Sequence, residues 1–124
     1  MTKMALDKLT VDELVERFED ICMKQYQGIL RRKTAEYNVL YAKMDSVDAE
    51  LKRRGAEARL ALLGLYGHPN VQVRLKAAIR TLAVAPDPAK QVLKEIAESY
   101  QFPQAADAAL MLDSSNFGSF VPKL

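Results

Sequence analysis

With no tryptophan, one histidine and one cysteine in 124 residues, this chain lacks the side chains on which most named reactions depend. The lone Cys22 rules out an intrachain disulfide, and one thiol with one imidazole cannot assemble the three or four ligands of an ordinary zinc site. The glycines, at positions 28, 55, 64, 67 and 118, are too dispersed to form a phosphate-cradling loop. Neither dinucleotide nor kinase-like chemistry is expected. No apolar run approaches the roughly 20 residues that span a bilayer. The stretch Met1–Leu9, interrupted by Asp7, has neither the continuous apolar segment nor the cleavage site of a secretory signal. A cytoplasmic protein without membrane contact is the expectation.

An excess of one charge is missing too. Eighteen Lys and Arg face sixteen Asp and Glu, a net +2. Divided at residue 62, the chain carries 12 basic and 11 acidic residues before it and 6 and 5 after it. Nucleic-acid modules normally show a basic stripe, because phosphate contacts supply much of their affinity, so that class is disfavoured. Two dense basic clusters exist, Arg31-Arg32-Lys33 and Lys52-Arg53-Arg54. Both fall where helices should end, and exposed carbonyls there favour a cation by about 0.3–1 kcal/mol.

What is present reads as helix. A hydrophobic fraction of 49% with 27% charged residues suits one globular domain. Thr10-Val-Asp-Glu13 has the spacing of a capping box. From there Val11, Leu14, Val15, Phe18, Ile21, Cys22, Ile29 and Leu30 keep helical phase, with Cys22 read as a small buried hydrophobe. Glu13 with Arg17 and Asp20 with Lys24 form i,i+4 pairs on the opposite face. A second helix from about Thr34 to Gly55 carries Tyr37, Leu40, Tyr41, Met44, Val47 and Leu51 on its stripe, which predicts a long antiparallel hairpin over 10–54. Shorter helices follow. Glu57–Tyr66 and a helix after Gly67-His68-Pro69-Asn70, with Val71, Leu75, Ala78, Ile79 and Leu82 inward, make a hairpin over 57–84. Asp87 is the expected N-cap and Pro88 the first residue of the next helix, which buries Val92, Leu93, Ile96 and Ala97. Gln101-Phe102-Pro103 turns the chain into a sixth helix, Gln104–Asp113, completing a hairpin over 88–113. The tail 114–124 holds Phe117 and Phe120, which either cap the open apolar edge of the last hairpin or dock on a second copy or partner.

The two later hairpins look like repeats, since Pro69 and Pro103 stand 34 residues apart and Lys76-Ala-Ala matches Asp107-Ala-Ala at 31. The segment LLGLYGHPNVQVRLKAAIRTL resembles a HEAT repeat, with Pro69 and Asn70 at the turn and Val73-Arg74 and Ala77-Ala78 in the second helix. The whole chain, from LTVDELVERF through ELKRRG and HPNVQVRLKAA to FPQAADAALML, resembles a family of small bacterial HEAT-like proteins known as a domain of unknown function. That resemblance implies an all-α fold, a short alpha-alpha superhelix of about six helices in three antiparallel hairpins, and implies no activity.

Function must then be sought on surfaces. Asp45, Asp48 and Glu50 come nearest to a carboxylate cluster, but Asp48 with Lys52 and Glu50 with Arg54 read as ordinary helix pairs. His68 precedes Pro69 in a turn with no nucleophile to activate, so a turn or cap role is expected. No metal, cofactor or enzymatic activity is expected. The leading reading is a non-catalytic module that binds a protein partner, an immunity- or antitoxin-like inhibitor being one variant. Nucleic-acid binding and an accessory role beside an enzyme stand behind it. Helical phase places Gln72, Lys76 and Arg80, with Gln104, Asp107 and Met111, opposite the apolar stripes, and these six form the expected binding patch. Homodimerisation through the C-terminal tail is the other expected contact.

Overall fold

The structure is a computed structural model that describes residues 5–116. Every regular element among the described residues is helical, and the chain divides into two compact units, Met1–Ala61 and Leu62–Leu124. No helix among the described residues is long and apolar enough to cross a membrane. Phe117 and Phe120, and with them the expected tail contact, lie outside the described residues.

In the first unit, α1 (Val11–Leu30) starts where the capping box predicts. Thr10 Oγ1 accepts the Glu13 N–H at 3.1 Å and Glu13 Oε1 accepts the Thr10 N–H at 2.9 Å, satisfying donors that a helix start leaves orphaned. The bond from the Thr10 N–H holds the Glu13 carboxyl below its ordinary pKa. A short connection returns α2 (Thr34–Arg53) along α1. Leu14, Phe18, Ile21 and Cys22 of α1 bury with Met44, Val47 and Leu51 of α2. The stripe predicted for α2 is only half right: Tyr37 and Leu40 are half-buried and Tyr41 is 44% exposed.

At the far end of α2, Glu50 gathers two guanidinium groups. Arg53 reaches both carboxylate oxygens, at 3.1 and 2.5 Å, and Arg54 Nε donates at 2.8 Å. Arg54 also donates to the Leu6 and Asp7 carbonyls at 3.1 and 3.3 Å, tying a 3-10 turn at Leu6–Lys8 to the helix end. Asp48 stands 4.0 Å from Nε of Arg59, a pair that i,i+4 spacing did not suggest. Hydrogen bonds from Arg53 and then Arg54 pull the Glu50 pKa from 4.5 down to about 2. Because the folded value lies below the unfolded one, this contribution to stability is fully present above about pH 4.5 and is lost as pH falls toward and through 2. Glu50→Gln should therefore flatten the fall in urea-melt stability across that window, and an unchanged slope would show that the cluster is not coupled to folding.

Gly55, at φ 109, takes a backbone conformation that suits glycine and ends α2. The Glu57–Tyr66 segment is not one α-helix. It forms α3 (Ala56–Leu60) and then a 3-10 stretch, Ala61–Leu65, a common form for short connectors, and the division between units falls inside it.

The second unit contains α4 (Val71–Thr81), α5 (Pro86–Ala97) and α6 (Gln104–Asn116). Asn70 is the α4 N-cap, its Oδ1 accepting from the N–H groups of Gln72 and Val73 at 2.9 and 3.3 Å. The Asn70 N–H in turn donates to His68 Nδ1 at 2.9 Å, so the histidine shapes this turn. Helix α5 begins at Pro86, with Ala85 as N-cap, and not at Asp87 and Pro88: the fixed φ of the earlier proline already suits the first helical position. Helix α6 runs past Asp113 to Asn116 because no residue before Gly118 breaks it. Helix α5 packs on both neighbours and α4 also meets α6, so these are three mutually packed helices, around Leu75, Ala78, Ala89, Leu93, Ile96 and Ala108.

Candidate functional site

The six residues predicted to form a solvated patch do not form one. Gln72 and Gln104 are each 1% exposed, and Gln104 Nε2 donates to Gln72 Oε1 at 2.9 Å. Lys76 is 8% exposed. Arg80 and Met111 are half-buried, and Asp107 is exposed. Helical phase failed because α4 is enclosed nearly all round: Val71, Gln72, Val73, Leu75, Lys76, Ala77, Ala78 and Thr81 are all buried. A polar residue opposite an apolar stripe faces water only when that side is left open. The two amides knit α4 to α6 and are not available to a partner.

The open surface lies instead at the turn of the first unit. Gln27 and Gly28 of α1 and Arg31 at its C-cap line a groove of about 590 Å³ with Ala35, Val39 and Leu40 of α2, and Glu36 joins the lining. Spacings of i, i+1 and i+4 in the first trio and of i, i+4 and i+5 in the second place each on one side of its helix. The turn geometry follows from the α1 terminus, where Lys33 N–H reaches the Gly28 carbonyl at 2.8 Å and Arg32 N–H the Ile29 carbonyl at 3.1 Å. Arg32 closes this Schellman motif in the left-handed region, at φ 56. Gly28 adds no side chain to the groove wall, and a Cβ there would meet only the Lys33 carbonyl oxygen, at 3.8 Å. Val39 in the lining is 56% exposed, and Leu30, at the end of α1 and outside the lining, is 61% exposed. Lys24 also lines it, paired with Asp20 at 2.9 Å. Arg31, Arg32 and Lys33 are exposed around the turn.

A second apolar surface stands at the α5–α6 turn, where Tyr100 is 86%, Phe102 67% and Leu110 66% exposed. Ser99 shapes this turn: its hydroxyl donates to the Ile96 carbonyl at 2.6 Å and accepts the Gln101 N–H at 3.2 Å. Tyr100 follows at φ 61, and the Phe102–Pro103 peptide is cis.

Residues 12–116, which include both surfaces, match the family described as Domain of unknown function (DUF2019). The chain belongs to that family. A solved structure, described as the crystal structure of the protein RPA1889 from Rhodopseudomonas palustris CGA009, is 41% identical, with a TM-score of 0.93 over 98% of this chain and 100% of that one. No curated protein matches.

For this DUF2019 chain, one signal of the groove was present in the sequence. Leu30, Val39 and Leu40 flank Arg31-Arg32-Lys33, so an apolar and a basic feature coincide. Reading the cations only as helix-end charges hid the coincidence. The exposure of the α5–α6 turn had no comparable signal, since Tyr100 and Phe102 could equally have folded inward.

Proposed function

We propose that this DUF2019 protein is a non-catalytic protein-interaction module whose binding surface is the groove at the α1–α2 turn. The observation that supports the reading is an open groove lined by Val39, 56% exposed, at the same turn as Leu30, which stands outside the lining and is 61% exposed. Such an apolar cleft between two helices suits an amphipathic helix or an apolar turn from another chain.

Magnitude decides what else a partner must supply. Fully burying a Leu or Val is worth about 1.5–3 kcal/mol, and each of these has just over half its surface left to cover, so the pair supplies about 2–3 kcal/mol. A micromolar complex needs roughly 8 kcal/mol. The partner must therefore also bring aromatic anchors or carboxylates for the cations around the turn.

A photo-crosslinker placed at Val39 and, as a control, at Glu16 on the exposed face of α1 tests this reading in cells. One protein captured from position 39 and not from 16 supports it. Identical capture from both positions, or none from 39, removes the groove as the site.

A further inference from the structure

We propose that the groove at the α1–α2 turn receives the α5–α6 turn of a second copy of this chain, head to tail. This rests on the groove being a docking surface and names its occupant.

Apolar exposure and charge point to the same pairing. Seven large hydrophobic side chains are exposed among the described residues: Leu30, Val39, Tyr41, Leu60, Tyr100, Phe102 and Leu110. All but Leu60 fall in two places, the turn half of the α1–α2 hairpin and the α5–α6 turn with the following part of α6. These two surfaces carry opposite charge. Residues 20–40 hold Lys24, Arg31, Arg32 and Lys33 against Glu36 and the Asp20 that pairs with Lys24, a net +2. Residues 94–110, the α5–α6 turn with the helix turns beside it, hold Glu95, Glu98 and Asp107 against Lys94, a net −2. Within a chain of net +2, the two places therefore differ in the sign of their charge.

That separation selects the geometry. Groove against groove sets +2 against +2, and turn against turn sets −2 against −2, so two-fold pairing of like surfaces is opposed. Groove against turn sets opposite charges together and covers apolar surface on both sides. The turn is also held in place before docking. Tyr100 and Phe102 project from a turn whose backbone Ser99 holds through two hydrogen bonds, so little ordering is needed on docking. Aromatic anchors entering an apolar cleft ringed by charge are the usual centre of a protein interface. A contact between unlike surfaces either closes into a ring or propagates.

The experiment is sedimentation velocity on the full chain up to about 1 mM, at low salt and near 1 M salt, where charges are screened beyond roughly 3 Å. Val39→Glu disables the groove and Phe102→Glu disables the turn. Both positions are exposed, at 56% and 67%, and unchanged thermal melts at high dilution verify folding. Wild type should associate with concentration, less so at high salt, and each variant should weaken association about tenfold or more. Mixed, the two variants should recover a one-to-one pair, because one still has its groove and the other its turn. A wild type monomeric at every concentration overturns self-docking but leaves the groove to the crosslinking test at Val39. Association that survives either variant, or is not restored by mixing, overturns the head-to-tail pairing.

Discussion

Phe18→Ala should destabilise the first unit by about 3–5 kcal/mol, the range for removing a ring from a packed core. Phe18 is 0% exposed, and Leu14, Cys22, Met44 and Leu51 around the hairpin core are likewise fully buried, so the cavity has little opportunity to collapse. Val39→Ser, on the same hairpin but 56% exposed, should cost no more than about 0.5 kcal/mol. Urea melts of the two variants at low protein concentration measure this contrast directly. The large difference is the expected result. Comparable losses would mean that the turn half of the hairpin is as well packed as the other half, and would remove the apolar surface on which the proposed function stands.

The second large effect concerns the amide pair between α4 and α6. Gln104→Met keeps an unbranched chain of similar length but removes the donor to Gln72 Oε1 at 2.9 Å. Both side chains are 1% exposed, so water cannot replace the lost partner, and leaving a buried polar group short of a bond costs about 1–3 kcal/mol. Gln72→Met should cost a similar amount. The double variant removes the bond without stranding either amide and should lose clearly less than the sum, with a coupling of about 0.5–3 kcal/mol. Strict additivity in denaturant melts would show that each amide is satisfied elsewhere and that the pair does not join the helices.

Much of this fold could be read from local chemistry. The capping box at Thr10, the glycine at Gly55 just past the end of α2 and the Asn70 cap each act within four residues, so their spacing alone places helix boundaries. The burial of Cys22 and Met44 followed from helical phase because each lies where two long stripes meet. Legibility ended where tertiary enclosure decides. Gln72, Lys76 and Gln104 look like surface residues by phase, yet packing covers them on the side that phase leaves open. Conversely, Tyr41 continues an apolar stripe and remains 44% exposed, because a stripe shows that a helix has an apolar face and not whether anything covers it. The placement of the binding patch failed at the same step: the two exposed apolar surfaces are defined by what does not pack against them, which is not a local property.

Burial of Cys22 at 0% exposure has a practical meaning. It is the only thiol in the chain, and a thiol sealed in a core reacts with disulfide reagents or peroxide only while the surrounding structure is open. Its labelling rate is therefore a clock for the opening of the first hairpin, readable in crude extract without purification. In an oxidising cell the same seal makes damage selective: folded molecules are spared, and molecules that have opened are the ones marked.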